Sequence, residues 1–319
     1  MISPDISKED VRNFKGLLDF LKTLARDGVT PLIEKQLLMM LDNAVPFFSS
    51  LTMTGYFDEV RRWTINKNVL PDKSNRRIYD IKYLKNPPAD LVTKYGRCNL
   101  PGQSVFYSSM FDMTALSEMR PRIGDLVTAS VWKLRVNEPL IYCPIFKNQP
   151  TNDTFNERMY RYEEMYNEKI KMYPENVREQ IDALVQFVAD AFTKYVHPSN
   201  HLDYIFSSYF ADKIFNNFEN GKIEAIYYPS VKEKLSFENV AIKPDVFERK
   251  YYLHKVKDSV ITQDLYHSSG TFMSGLSDCT SFDLASGRIL WNPDKIHQPE
   301  EMLKDFKYLY GVELEDKIP

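Results

Sequence analysis

Apolar residues near the N-terminus recur every three or four positions, which is the spacing of one face of a helix. This spacing predicts a helix over residues 8–26 and a second helix that begins at Pro31, since proline fits the first turn of a helix. The stretch YFDEVRRW is expected to extend this helical hairpin. We therefore assign residues 1–70 to an N-terminal helical segment.

Beyond residue 70 the pattern changes to alternation rich in Ile, Val and Tyr, which is typical of strands. A short helix is predicted in MTALSEMRP, and helical spacing returns over 153–220. The Ser-, Thr- and Gly-rich stretch 267–286 is expected to be a loop or a weak hairpin. The predicted strands are RRIYDIKYL, SVFYSS, DLVTASVWKLRV, IEAIYYPSV, ENVAI and ERKYYLHKVKDSVI.

Strands on both sides of a helical block indicate an α+β fold with a helical insertion, in one domain rather than two. The core domain is predicted to span residues 71–260, with the insertion at about 153–220. A C-terminal extension follows from 261 to 319.

The composition excludes several classes of protein. The chain has 319 residues, of which 43% are hydrophobic and 27% charged, and its net charge of −3 gives no support to nucleic-acid binding. The three cysteines are far apart, and the histidines form no HExxH pattern. His197 and His201 have Pro198 between them, so no metal site is expected. No signal peptide and no membrane span are predicted, which indicates a soluble, cytoplasmic protein.

The stretch from 95 to 121 is the richest in candidate chemistry. Its loop GRCNLPG has a glycine at each end, and with Arg97 it suits a phosphate, although most such loops are plain turns. Tyr107 ends a short strand, where its ring can face a flat base. Glu118 lies near a helix start, where a carboxylate also compensates the helix dipole. Ser230 follows a proline at a strand end, where a hydroxyl often only ends the ladder.

The order of these parts resembles the RES domain family, named for its Arg, Glu and Ser. The family pattern is an early arginine strand, a G-R-x-N-x-x-G loop, a Tyr-ending strand, a glutamate helix and a later Y-P-S strand followed by an asparagine. Here those parts read RRIYDIKYL, GRCNLPG, VFYSS, TALSEMRP, IYYPSV and ENVAI. The resemblance covers roughly residues 75–260.

The resemblance implies a bacterial enzyme that consumes NAD, by hydrolysis or phosphorolysis, as the toxin of a toxin–antitoxin pair or a defence effector. An antitoxin or another regulatory protein is then the expected partner. Some family members resemble ADP-ribosyltransferases and modify a protein instead. The family fold is ADP-ribosyltransferase-like, with small mixed sheets that form a cleft. NAD is the substrate, and no metal is needed.

The resemblance also implies which residues bind the middle of NAD. The early arginine, placed at Arg77 with Arg76 as the close alternative, is expected to grip the pyrophosphate or a ribose. The family usually has an aromatic residue before this arginine, where this chain has Asn75 and Arg76. Arg97 and Asn99 are expected to shape the loop near the phosphates.

The remaining implied residues act at the scissile bond. Tyr107 would stack on or orient the nicotinamide ribose, and Glu118 would stabilise the positive charge that develops as the N-glycosidic bond breaks. Ser230 would hydrogen-bond the nicotinamide end or the ribose, and Asn239 would support the cleft. With Arg77, the residues Tyr107, Glu118 and Ser230 form the expected catalytic set.

Two questions stay open at this point. The terminal extensions are expected to mask the cleft, to bind a partner or to thicken the core. A protein-modifying ADP-ribosyltransferase and a catalytically silent binding module are the alternatives to an NAD-consuming enzyme.

Overall fold

A computed structural model describes most of the chain, and all structural statements below concern that part. The described residues are 6–45, 50–135, 137–148, 157–197, 199–263 and 273–315. None of the helices in these ranges combines the length and the apolar character needed to cross a membrane.

The secondary structure alternates helices and strands along the whole chain. The helices are α1 Lys8–Leu24, α2 Pro31–Ala44, α3 Asn66–Val69, α4 Asp112–Met119, α5 Glu157–Ile170, α6 Glu175–Thr193, α7 Ile205–Asn216, α8 Pro244–Lys250 and α9 Glu300–Tyr310. The strands are β1 Met53–Gly55, β2 Glu59–Ile65, β3 Phe106–Ser109, β4 Leu126–Leu134, β5 Leu140–Pro144, β6 Ala225–Pro229, β7 Glu238–Ile242, β8 Tyr251–Ile261, β9 Met273–Cys279, β10 Phe282–Asp283 and β11 Arg288–Ile289.

The chain divides into two compact units, and each unit takes its residues from three separate stretches. Unit 1 comprises Met1–Tyr56, Pro88–Val105 and Pro139–Lys243. Unit 2 comprises Phe57–Pro87, Phe106–Glu138 and Pro244–Pro319. This division follows packing rather than chain order. The predicted segment boundaries at residues 70 and 260 stay a prediction.

Unit 1 contains a mixed sheet in the order β1-β5-β6-β7. Strands β5 and β6 run parallel, with Tyr142 opposite Ala225, while the outer pairs are antiparallel. Parallel neighbours need a long crossover, because the chain must return to the same end of the sheet. The helical block α5–α7 lies between these two strands in sequence and supplies that crossover.

The N-terminal hairpin packs on this helical block. The buried face of α1 is formed by Val11, Leu18 and Leu21. Two ion pairs connect α1 with α6: Lys15 Nζ lies 2.9 Å from Glu179 Oε2, and Lys22 Nζ lies 2.5 Å from Asp190 Oδ2. The first two helices therefore extend the core of unit 1.

Unit 2 contains an antiparallel sheet in the order β3-β2-β4-β8-β9. Helix α4 packs on one face, where Ala115 and Leu116 contact Val127 and Ala129 of β4. Helix α9 packs on the other face, where Phe306 contacts Leu126. Neighbouring residues of a strand point to opposite faces, so the two helices lie on opposite sides of this sheet.

The structure confirms the α+β class and most of the predicted elements. Three stretches of the chain differ from their predicted structure. YFDEVRRW holds strand β2 instead of helix, and RRIYDIKYL forms a loop and a 3₁₀ helix over Ile81–Leu84 instead of a strand. The stretch predicted as a loop or weak hairpin contains β9, a seven-residue strand paired with β8, while residues 264–272 lie outside the described ranges.

The described part of the C-terminal extension thickens the core of unit 2, which is one of the three roles expected for it. Phe306 and Val312 are buried against Leu126, Val260 and Leu276.

We expect Phe306→Ala to lower the free energy of unfolding by about 3–5 kcal/mol, because it removes a buried ring that seals α9 to the sheet. Urea denaturation of the full chain measures this effect. Tyr308→Ala on the same helix is the matched control, since Tyr308 is 89% exposed. Its effect should stay within about 0.5 kcal/mol. Equal losses for the two variants would contradict the packing described for α9.

Candidate functional site

Tyr107 lies on the face of the unit 2 sheet that carries α4. Its neighbour Phe106 stacks on Phe247 with ring centroids 3.6 Å apart and meets Trp132 edge-on. Trp132 pairs with Val60, and both belong to the face opposite α4. Alternation along β3 therefore places Tyr107 on the α4 face.

Glu118 lies in the last turn of α4 and not near its start as predicted, so compensation of the helix dipole does not explain this carboxylate. The inner face of this helix is buried through Thr114, Ala115 and Leu116, while Glu118 is exposed. The helix ends at Arg120, whose left-handed φ of 51° turns the chain away. Strand β3 and helix α4 thus present an aromatic ring and an exposed carboxylate on the same side of the sheet.

Arg61 fixes the connection between β3 and α4. It pairs with Ser109 in β3, so it lies on the α4 face. Its Nη1 donates to the carbonyl of Met110 at 2.6 Å, and its Nε lies 3.7 Å from Asp112 Oδ1. Its Nη2 also donates to Glu59. With two carboxylates nearby, Arg61 is suited to position α4 relative to Tyr107 rather than to bind a further anion.

The sequence analysis did not identify Arg61 as a residue that positions α4, because its segment was predicted to be a helix. Strand alternation around Arg61, Arg62 and Trp63 would have separated the two arginines onto opposite faces. Arg62 reaches the backbone of β3, with Nη1 donating to the Tyr107 carbonyl at 3.0 Å. Burial lowers the pKa of Arg62 to about 10, and the nearby Tyr107 opposes this shift.

The structure separates Arg77 from Tyr107 and Glu118. The Arg77 side chain is buried, with Nε 2.7 Å from Asp258 Oδ2 and Nη2 2.7 Å from Ser277 Oγ. Asp258 pairs with Thr128 and shares the α9 face with Leu126. The sheet of unit 2 therefore stands between Arg77 and the expected scissile-bond residues.

The ion pair of Arg77 also leaves little charge for a phosphate. Removing one partner of a buried pair costs about 3–5 kcal/mol, so Asp258 is not easily exchanged for a ligand. Burial raises the pKa of Asp258 in spite of Arg77 beside it. The alternative, Arg76, pairs at 3.2 Å with Asp72 Oδ2.

The glycine loop of unit 1 is a pair of tight turns. Gly96 and Asn99 exchange backbone hydrogen bonds of 3.0 and 3.4 Å, so Arg97 and Cys98 form the tip between them. Gln103 N then donates to Leu100 O at 3.1 Å, and Gly102 has the positive φ of 80° that such a turn requires. The Asn99 amide donates to the carbonyls of Lys94 and Leu100, both at 3.1 Å.

Arg97 reaches from this loop to the C-terminal end of α6. Its Nη1 donates to the carbonyl of Phe192, and both Nη atoms lie 3.3 Å from the carbonyl of Lys194. Its guanidinium also lies 5.0 Å from the ring centroid of Tyr204. No carboxylate pairs with Arg97 among the described residues, so its charge is opposed only by carbonyl dipoles. A capping role explains its position, and the unpaired charge leaves it suited to an anion.

The same loop contacts strand β6, where the later family motif lies. The Cys98 thiol hydrogen-bonds with Tyr228, and burial raises the pKa of this thiol. Tyr228 pairs with Asn239 of β7. Ser230 is fully buried in the turn that follows β6, where its N donates to Phe237 O at 2.7 Å and its Oγ accepts from Glu233 N at 3.4 Å.

A buried carboxyl lies next to Asn239. Glu238 hydrogen-bonds with Tyr227, whose hydroxyl also accepts from Arg158 Nη1 at 3.4 Å. Burial raises the pKa of Glu238, while Tyr227 and Arg158 act in the opposite direction. No sequence motif signalled this residue, because its burial depends on α5, which comes about 80 residues earlier.

The predicted site residues therefore form two sets. Tyr107 and Glu118 share one face of the sheet in unit 2, and Arg77 lies on the other face. Unit 1 holds Arg97, Asn99, Ser230 and Asn239, joined through Cys98 and Tyr228. In the ranges that the structure describes, no three His, Cys, Asp or Glu side chains gather as a metal site requires.

Comparison with known proteins adds no assignment. No family model and no curated protein matches this chain.

We compare the free energy of unfolding of Glu238→Gln with that of the unchanged chain. We expect the difference to shift in favour of Glu238→Gln as pH rises from about 4 to about 7. The raised pKa means that the folded chain holds this proton more tightly than the unfolded chain does. The stabilisation that the protonated Glu238 gives the unchanged chain is fully present below the pKa of an ordinary glutamate. It is lost as pH rises through the raised pKa of Glu238 in the folded chain. Glutamine at position 238 is neutral at every pH, so the variant does not lose this stability as pH rises.

Urea denaturation at a series of pH values measures this difference. Glu164→Gln, at an exposed position of α5, is the control for the loss of a carboxylate at the surface. A constant difference between Glu238→Gln and the unchanged chain at every pH would argue against a raised pKa.

Proposed function

We propose that this protein is an NAD-consuming enzyme of the RES type, which cleaves the bond between nicotinamide and ribose. The observation that carries the proposal is the shared face of Tyr107 and exposed Glu118 in the β3–α4 segment. The motif order in the sequence adds support, because this segment is where the resemblance to the family is most specific.

The chemistry needs a carboxylate beside a cationic leaving group. As the C1′–N bond breaks, its electron pair goes to the nicotinamide, and positive charge develops on the ribose. The Glu118 carboxylate stabilises that charge. The Tyr107 ring orients the ribose, and the oxygen of water, of phosphate or of a protein side chain then bonds to C1′.

The family resemblance, which implies that the loop of Arg97 lies near the NAD phosphates, leaves Arg97 as the candidate for phosphate binding within unit 1. Its guanidinium has no carboxylate partner in the described chain, whereas Arg77 is neutralised by Asp258. Asn99 fixes the loop that carries Arg97. Ser230 and Asn239 keep their expected supporting roles on the β6–β7 hairpin.

A free NAD-consuming activity suits a toxin or a defence effector, restrained in the cell by an antitoxin or another regulatory protein. An ADP-ribosyltransferase would break the same bond and pass ADP-ribose to a protein. The two activities differ only in the acceptor, so one experiment distinguishes them.

We expect the purified chain to convert NAD to free nicotinamide, and Glu118→Gln to reduce this rate by at least about a hundredfold, because the amide cannot oppose the developing charge. Mass spectrometry of NAD incubations with and without phosphate measures the loss and identifies the product. Glu164→Gln removes an exposed helical carboxylate elsewhere and should keep full activity.

The products decide among the alternatives. ADP-ribose indicates water as acceptor, a phosphorylated ADP-ribose indicates phosphate, and label from NAD on protein in a cell extract indicates ADP-ribosyl transfer. An unchanged NAD pool and no labelled protein would overturn the proposal in favour of a silent binding module. Full activity in Glu118→Gln would remove Glu118 from the mechanism.

We expect Arg97→Ala to raise KM for NAD by about tenfold or more and to change kcat less, because a phosphate contact binds substrate and transition state alike. Steady-state kinetics measures both constants. Arg161→Ala, an exposed arginine of α5, is the control and should change neither. A KM that matches the control would assign Arg97 to capping of α6 alone.

A further inference from the structure

Unit 2 contains a cavity of about 680 Å³ on the sheet face opposite Tyr107 and Glu118. Its walls are mostly apolar and include Trp291, Tyr79, Phe306 and Leu314, and the buried Arg77 also lines it. Its volume lies within the range of about 300–1,000 Å³ that small-molecule sites occupy.

Arg77 is held in one orientation at this cavity. Asp258 and Ser277 occupy Nε and Nη2, and the Trp291 ring centroid lies 4.5 Å from the guanidinium carbon. The described residues offer no hydrogen-bond acceptor to Nη1. A ligand in the cavity could therefore place an acceptor on this nitrogen.

The aromatic side chains that line the cavity are held in place by hydrogen bonds within the protein. Trp291 Nε1 donates to Ile78 O at 2.9 Å, and the Tyr79 hydroxyl donates to Leu314 O at 2.5 Å. Arg77 N donates to Glu313 O at 2.8 Å, which anchors the last described stretch of chain beside the cavity. A preformed site binds without paying an ordering cost on the protein side.

The charges of the cavity indicate an uncharged ligand. Arg77 is neutralised by Asp258, and Lys304 Nζ lies 2.8 Å from Glu300 Oε1. Lys307 and Glu315, which also line the cavity, carry opposite charges. A phosphate or a dinucleotide would meet no net positive charge here.

We propose that this cavity is a second binding site, which takes an uncharged aromatic amide: the ring lies among the aromatic walls and the amide oxygen accepts from Arg77 Nη1. The site is separate from the NAD-consuming chemistry. Its test is therefore a binding measurement on the full chain without NAD.

Titration calorimetry with 1-naphthamide tests the proposal, with the matching anion 1-naphthoate for comparison. Naphthamide should bind at least about tenfold more tightly than naphthoate, because the anion must lose its hydration without gaining a net counter-charge. Tighter binding of naphthoate, or no binding of naphthamide up to about 5 mM, would overturn the proposal.

Two substitutions on α9 locate the site. Leu303→Trp fills the cavity and should weaken naphthamide binding by at least about tenfold. Leu309→Trp places the same side chain at a position that is 62% exposed and outside the lining, and should leave binding unchanged. Equal binding by the two variants would place the ligand elsewhere.

A measurement on the unchanged chain guards against a misfolded Leu303→Trp. Naphthamide protons should show nuclear Overhauser effects to the Trp291 indole, assigned by their loss in Trp291→Phe. Bound naphthamide without effects to Trp291 would also overturn the proposal.

Discussion

Leu126 and Val127 are neighbours in strand β4, and the pleat of that strand sends their side chains to opposite sides of the sheet. Val127 packs under α4, and Leu126 packs under α9. This division separates the two hydrophobic clusters of unit 2. The α4 face is where a carboxylate stays exposed, and the α9 face is where the Arg77–Asp258 ion pair is buried and a mostly apolar cavity lies.

Local patterns in the sequence were sufficient for most of the helices and for the short strand followed by a helix that carries Tyr107 and Glu118, because these elements are set by nearby residues. Strand β2 was read as helix, since charged Arg61 and Arg62 stand side by side and leave no clean alternation between polar and apolar positions. The order of the strands in the sheet could not be predicted from the sequence either. It depends on pairings such as β4 with β8, which join residues far apart in the chain.

Arg77 shows how such distant contacts limit the prediction of a site. Its partners Asp258 and Ser277 come 181 and 200 residues later, and no local signal connects them to it. The family resemblance implied a role for Arg77 beside the glycine loop, but the fold gives Arg77 a carboxylate of its own. Arg97 differs because it meets backbone carbonyls and a ring, which leave its charge uncompensated in the described chain.

The parallel pairing of β5 with β6 constrains how unit 1 can fold. During synthesis β5 emerges first, and its parallel neighbour follows only after the whole helical block has been made. Closing so long a loop lowers the conformational entropy of the chain before strand contacts can offset that loss. Non-local pairings of this kind therefore form slowly. Until then the inner edge of β5 has unpaired backbone groups, which is a state prone to association with other chains. Formation of α5–α7 before the strands pair would shorten the effective loop that has to close.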